Sequence, residues 1–598
     1  MNPKSVTILS DRIDADLLPF VRRPSRYIGG EVNQIEKDLD KCDLTVALCF
    51  PDIYEIAASN TGIAIIYDIL NRLPYAAAER CFAPWKDAEQ IMREKSIPLF
   101  TLESKAAVRD FDIVGFSLST ELCFTNMLMM LDLAGIPLRT EDRTDSDPVV
   151  IAGGQLSNCA EPIAAFIDVF ILGDGEDAVV QLADFIAEMK VYGLNRAELL
   201  EDIARKFNFA YVPSLYRFEY KDDKIKSFRP LIAGLPTEFK NAVVDDFELA
   251  PVPEAPIVPF IQPVHERISI EIMRGCPGRC RFCQASFCRR PIRFRSVDTI
   301  VRIAKQQYKS TGLDTVGLLS LSSGDYPYLE QLITTLRRYF EPRHVGVSMP
   351  SLRVRETLAL LPAMATSVRK GGLTIAVEAA SEKLRRVINK PITDADLLSA
   401  VRSAYEEGFK RVKLYFMAGF ESETEDDIER IVDLSLRISE LKREVDRKAA
   451  DVNVTVSWLV PKPHTPFGFM GQRPKEYFEN ACRIILDRKK VLKAKFVNFK
   501  FHDIETSILE AVFARGDRRL ADVIQTAYDL GARFDLWTEE FDNSIWQKAF
   551  AQHDLDADLA AQKSFTTDDT LPWQHLGGPN KKRLIAHYEQ ALDIAHNQ

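Results

Sequence analysis

Histidine is scarce in this sequence. Eight stand among 598 residues and none precedes His265, so no imidazole-built metal site can come from the first 264 residues. Long apolar runs are missing as well. Nothing approaches the roughly 18 uninterrupted apolar residues of a membrane helix, and the opening MNPKSVTILSDRIDADLLPF has no apolar core of signal-peptide length. The expectation is a cytoplasmic protein without a membrane partner. A basic excess is absent too. Lys and Arg number 77 against 87 Asp and Glu, a formal net charge of -10, which excludes a nucleic-acid-binding charge coat over the whole surface but not a local basic patch. Repeats and low-complexity tracts are lacking.

What is there is an ordinary globular balance, with 46% hydrophobic and 27% charged residues. At ~150 residues per domain the length suggests three or four units. After an N-terminal segment, 1–40, short apolar runs alternate with helical patterns from 41 to 190. Strand-helix repetition of this kind implies an α/β unit with a parallel sheet, a Rossmann-like domain. Its later strands end in Gly153-Gly154 and Gly173-Asp174-Gly175-Glu176, where such sheets bind ligands. Residues 191–264 read as a connector containing a hairpin, YVPSLYRFEYKDDKIKSFRP. From 265 to 480 six strand candidates each precede a helix, which predicts a partial (β/α)6 barrel with chemistry at the C-terminal strand ends. Residues 481–598 read as an α/β C-terminal extension.

Immediately after the first barrel strand lies RGCPGRCRFCQASFC, in which Cys276, Cys280 and Cys283 form a C-x3-C-x2-C pattern. In a cytoplasmic chain, clustered cysteines point to metal or redox chemistry rather than disulfides. Three thiolates fit a zinc site that takes a fourth ligand from elsewhere, or an iron-sulfur cubane with one iron left open. Gly275, Pro277 and Gly278 let the backbone fold tightly around such a group. Cys288 reads as a small packed residue or as a further thiol, and Cys42, Cys49, Cys81, Cys123 and Cys159 have no compact metal spacing.

The three cysteines after the first strand of a six-unit barrel resemble the radical S-adenosylmethionine (SAM) superfamily. That resemblance implies a 4Fe-4S cluster on Cys276, Cys280 and Cys283, with SAM on the open iron. It implies reductive cleavage of SAM, a 5'-deoxyadenosyl radical, and an electron donor such as flavodoxin or ferredoxin. By the same resemblance Phe282 would pack near the adenine, and Ser322, Ser323 and Gly324 of LSLSSGDYP would stand in the amino-group loop. Glu378 would meet the ribose, and Gly419 of FMAGFESET would lie on the adenine side. Arg353, at the third strand end, is a candidate for holding a carboxylate or an anionic substrate. So are Arg289, Arg290, Arg293 and Arg295.

The chain is also similar, nearly end to end, to radical SAM proteins with an N-terminal cobalamin-binding-like domain. RYIGGEVN, APWKDAE, RGCPGRCRFCQA, RRVINK, PKPHTPF and RGDRRL are among the matching segments. The common cobalamin domain supplies a histidine after its first strand. Here CFPDIYEIAAS offers Asp52 and Tyr54 instead, so cobalamin could bind only without an N-terminal histidine ligand.

The resemblance names no substrate. Two alternatives stand beside the radical SAM reading. One is a tRNA- or ribosome-modifying methyl or methylthio transferase, suggested by the basic segment 483–500 with Phe496 and Phe499 interleaved; a solvated helix leading into an apolar strand explains the same segment. The other is a non-catalytic iron-sulfur scaffold. His502, Asp503 and Glu505 read as an acid-base cluster or as a capped helix start.

Overall fold

The computed structural model describes residues 6–348 and 373–596. Its first sheet has the order β2-β1-β3-β4-β5-β6, from β1 (Leu44–Phe50), β2 (Ala76–Phe82), β3 (Ile113–Leu118), β4 (Val149–Gly154), β5 (Val169–Ile171) and β6 (Ala210–Tyr211). The first five are parallel and β6 runs antiparallel to β5. All seven residues of β1 are buried, as a strand covered by helices on both faces requires. Strand order reverses between β1 and β3, the point at which open sheets of this kind leave a crevice at their carboxyl ends. Helices Thr61–Arg72 and Glu176–Tyr192 flank that crevice. The first begins at Asn60, whose side chain accepts from the Ile63 amide.

The hairpin read in the connector is present as β7 (Tyr216–Lys221) and β8 (Lys224–Pro230). The same stretch also holds helix Arg196–Lys206, opened by a capping box at Asn195, and β6. The first sheet therefore runs on past residue 190.

The second half forms a parallel strand array. β9 (Ile268–Glu271), β12 (Thr315–Leu319) and β13 (Gly346–Ser348) lie in the order β13-β12-β9, and β14 (Leu373–Glu378), β15 (Arg411–Ala418), β16 (Asp451–Trp458) and β17 (Val497–Phe501) follow in sequence order. Between β9 and β12 two short strands, β10 (Met273–Arg274) and β11 (Arg293–Phe294), pair antiparallel. Val412, Leu414, Phe416 and Ala418 alternate along β15 and are fully buried against helices, while Lys413, Tyr415 and Met417 take the other face. The six strands expected are joined by a seventh, β17, paired with β16. The expected boundary at 480 thus falls inside helix Lys475–Val491, because an apolar strand following a basic helix still completes the sheet.

Residues from 504 to 561 turn back to the N-terminal domain and share its core, whereas the last helix, Lys581–His596, packs beside the cysteine loop and the end of the barrel. The Phe513 ring lies 5.6 Å from Phe124, and Phe534 lies 4.6 Å from Trp85. Thr125 Oγ1 donates to Asp535 at 2.7 Å. Each such buried aromatic contributes roughly 1.5–3 kcal/mol of transfer free energy. Among the described residues, no helix is long and apolar enough to cross a membrane.

Candidate active site

β10 and β11 clamp the base of the cysteine loop. Between them Gly275 adopts φ +87, and a Cβ there would lie 2.6 Å from the Arg289 carbonyl oxygen, so only glycine lets the two ends of the loop come this close. The loop's carbonyls are held by side chains around it. Arg290 donates to Cys276 O and Gly278 O at 3.1 Å each and to Ser286 O at 2.9 Å. Asn389 donates to Arg279 O at 2.8 Å, and Arg281 to Val387 O at 2.6 Å. The Cys283 amide donates to Cys280 O at 3.0 Å.

Cys276, Cys280 and Cys283 are all half-buried on this one loop. Burial raises the Cys283 thiol, and nearby Cys276 adds to the shift. Among the described residues, no three His, Cys, Asp or Glu side chains converge on a point that one metal ion could fill. A cubane makes a different demand, since each thiolate ligates a different iron and the sulfurs stand farther apart than the ligands of one ion. Three thiols on a loop whose backbone is tied elsewhere fit that demand. Cys288 is half-buried, and desolvation pushes its thiol up to about 12, which disfavours a reactive thiolate.

The residues expected around SAM fall at the strand ends on either side of this loop. Phe282 packs against the cluster that contains Phe420, on which Met417 and Tyr588 also pack, joining the cysteine loop to the end of β15. The Ser322 hydroxyl is buried without a protein partner among the described residues, the kind of atom a bound polar ligand satisfies. Ser323 is fully buried with its Oγ 2.5 Å from that of Ser320, and Gly324 follows in the same turn. Glu378, the last residue of β14, has φ +70 and accepts from Lys390 Nζ at 3.0 Å. Gly419, just past β15, has φ +113, and its amide donates to Glu423 at 2.6 Å. Burial pushes the Glu423 carboxyl up to about 7, against the lowering effect of Tyr477 and Gly419. Arg353 lies outside the described residues. Asp503 caps helix Ile504–Arg515, accepting from the Thr506 amide at 2.8 Å, and Glu505 pairs with Lys475, so His502, Asp503 and Glu505 form a helix start.

What sequence reasoning missed is the extent of the ligand site expected at the glycine-bearing strand ends: a cavity runs from them to the cysteine loop. It measures about 570 Å³, inside the range of ligand sites. One side is the face of the first sheet, with Val46, Ile113 and Ile151. Another is the helix pair, with Ile66, Leu70 and Ala183. Its upper end is walled by the glycine-bearing turns Gly153-Gly154 and Gly173–Glu176, and it opens onto Arg274-Gly275 of the cysteine loop and Ser320-Leu321 beyond β12. Among the described residues no histidine lines it. The two glycine-bearing strand ends were the signal for it in the sequence.

An ion network crosses this rim. Arg274 donates to Glu176 at 2.6 Å and to Glu271 at 2.7 Å, and stands 3.3 Å from Asp174. Arg293 reaches Asp174 at 2.6 Å, and Arg289 donates to Gly173 O at 3.3 Å. Burial would lower the Arg274 guanidinium, but Glu271 and Glu176 overcome it and raise it further. Of the arginines read as anion binders, Arg293 and Arg289 are thus committed to this network, and Arg295 to the carbonyls of Glu248 and Ala250.

Residues 270–435 match the family description "Radical SAM superfamily", and residues 62–213 match "Radical SAM proteins, N-terminal". An uncharacterized protein of Methanocaldococcus jannaschii is 29% identical over 469 residues, covering 77% of this chain and 90% of that one. A probable threonylcarbamoyladenosine tRNA methylthiotransferase of Archaeoglobus fulgidus is 28% identical over 168 residues, 26% of this chain and 39% of that one. Among solved structures, the radical SAM methyltransferase TsrM from Kitasatospora setae, with cobalamin and a [4Fe-4S] cluster bound, superposes with a TM-score of 0.51 at 15% identity. That match covers 85% of this chain and 99% of that one. It is a likeness of fold.

Proposed function

We propose, from the premise that this chain is a radical SAM enzyme, that it carries three groups at the junction of its two halves: a 4Fe-4S cluster, SAM and a corrinoid of the cobalamin type. Cys276, Cys280 and Cys283 would hold the cluster. Phe282, Ser322, Ser323, Gly324, Glu378 and Gly419 would surround SAM, and the 570 Å³ cavity would take the corrinoid. When bound, the cluster supplies the electron that cleaves SAM, and the corrinoid supplies a cobalt that carries a methyl group. The reaction class is radical-initiated or corrinoid-assisted group transfer to an unidentified substrate.

The observation that carries this reading is the cavity itself. It is an apolar slot between a parallel sheet and two helices, and it opens onto the residues next to Cys276. The slot would seat part of a corrinoid against its apolar walls, without a histidine ligand from its lining. Arg290 and Asn389 engage the loop carbonyls, and the three thiols are the soft donors the loop offers to a cluster. Leu319 and Leu321, with the slot's aliphatic walls, would exclude water from reactive species.

The experiment is anaerobic reconstitution with iron and sulfide, then dithionite reduction with SAM and chromatography for 5'-deoxyadenosine. A Cys276→Ala, Cys280→Ala, Cys283→Ala variant runs beside it. Deoxyadenosine from the wild type alone supports the reading, and an intact cluster without cleavage under any substrate tested favours a scaffold. Cobalamin titration of the same preparation tests the cavity.

An RNA substrate is the second reading, favoured by the partial likeness to a tRNA methylthiotransferase. The basic segment contributes less than its count suggests, since Arg488 is paired with Asp433 and Glu429 and Lys490 with Asp487. Filter binding of tRNA that does not weaken with salt would remove it.

A further inference from the structure

We propose that the exposed tip of the cysteine loop, together with the first turn of helix Lys581–His596, is the docking surface for an acidic electron-carrier protein. The proposal rests on the reading of Cys276, Cys280 and Cys283 as cluster ligands.

Pro277 and Arg279 are exposed at the loop tip, and Lys582 and Arg583 are exposed at the start of the helix. Arg281 donates to Gln590 at 3.4 Å, which ties helix to loop. Arg279, Arg281 and Arg583 all lie close enough to His587 for their charges to bear on it, and Arg279 and Arg583 bear likewise on Arg290. Four guanidiniums therefore share one small region. Among the described residues none of the four forms an ion pair. Arg281 and Arg290 spend their donors largely on backbone carbonyls, which leaves their charge in place. Arg279, Lys582 and Arg583 form the outer, solvent-facing part.

Like charges held together without counter-charges cost energy, and this concentration sits on a chain whose net charge is -10. An acidic protein would be repelled by most of the surface and attracted here, which both steers and orients its approach. The location is also the useful one. Arg279 and Arg281 flank Cys280, so a carrier seated on them has its redox group near the cluster. One electron leaves the carrier's reduced flavin or iron-sulfur group, which is oxidised by one, and the cluster is reduced by one; no bond forms or breaks at this surface. The patch suits a protein better than RNA. Single-stranded RNA needs an extended basic track with open aromatic faces, whereas here Phe287 is buried and Phe282 is packed against Phe420.

The test uses the full-length chain, cluster-reconstituted, with a purified oxidised flavodoxin as probe and binding measured at about 50 mM and about 200 mM salt. Lys582→Glu/Arg583→Glu reverses the helix part of the patch without touching the cysteine loop. Lys489→Glu/Lys490→Glu on helix Lys475–Val491 is the remote control, and circular dichroism verifies folding of both. The expected result is binding by the wild type that weakens with salt, a loss of about tenfold or more in the patch variant, and no change in the control. Dithionite-driven SAM cleavage is expected to be equal in all three, while flavodoxin-driven cleavage falls in the patch variant alone. Equal flavodoxin binding by wild type and patch variant would overturn the proposal, as would loss of a tRNA probe with flavodoxin binding retained. Absence of dithionite-driven cleavage in every protein, with charge-dependent flavodoxin binding intact, would remove the functional reading and leave the surface standing.

Discussion

Arg274 donates to the Glu176 carboxylate at 2.6 Å across the junction between the two halves of the molecule, and Cys276 is two residues further along the chain. Glu271 and Asp174 complete a three-carboxylate cage around one guanidinium, whose side chain is 12% exposed. Arg274→Ala leaves those carboxylates without their shared cation. The expected cost is about 3–5 kcal/mol, the usual range for breaking a buried pair on one side, read as a lower urea midpoint. Glu176→Gln keeps an acceptor for the guanidinium and is expected to cost markedly less. Both variants are expected to retain less iron after reconstitution, with Arg274→Ala the lower, because the cage anchors the residue before Gly275.

Substituting Ser for Cys276, Cys280 or Cys283 singly is expected to abolish stable cluster binding, measured as iron and acid-labile sulfide per chain. Cys288→Ser is expected to leave both unchanged. Desolvation pushes its thiol up to about 12, so it is no ready thiolate donor. Iron retained by a Cys280→Ser chain at wild-type stoichiometry would argue against this ligand set.

The cavity makes its own prediction. Ala183 lines it from helix Glu176–Tyr192 and is buried. Ala183→Trp places an indole in the slot and is expected to weaken cobalamin binding by at least about tenfold, as an occupied pocket should. The far-ultraviolet circular dichroism is expected to stay the same. Undiminished cobalamin binding would move the corrinoid out of this slot.

A pH dependence follows from His464. Burial holds this imidazole down to about 4, with His575 adding a little and the Asn158 carbonyl, which accepts from Nε2 at 2.8 Å, opposing it. The unfolded chain takes up the proton at ~6.5 and the folded chain only near the lower value. The contribution is therefore fully present above ~6.5 and is lost as pH falls toward 4, to a total of about 3 kcal/mol. Denaturation midpoints between pH 7.5 and 4.5 check this, and His464→Gln, which still offers a donor to Asn158, is expected to flatten the slope.

Much of this was legible in the sequence because it was written in short-range pattern. The run Leu44–Phe50, apolar but for Thr45, reads as a strand covered on both faces, and the three cysteines came with their spacing. The rest depends on partners far apart in the chain. Lys475–Val491 looks like a solvated basic helix because its basic residues dominate the count, yet Phe478, Ala481 and Ile485 are fully or nearly fully buried against the barrel sheet. Arg293 looks like a free anion binder until Asp174, more than a hundred residues earlier, is found 2.6 Å away. Nothing local to Phe513 announces that its partner is Phe124.

That last contact bears on how the chain is made. A ribosome releases the N-terminal sheet early, at ~5–20 residues per second, but Phe124, Trp85 and Thr125 obtain Phe513, Phe534 and Asp535 only when the final hundred residues emerge. During synthesis the opening domain waits with part of its core uncovered while the cysteine loop appears. Of the two domains, the one translated earlier is the one finished later.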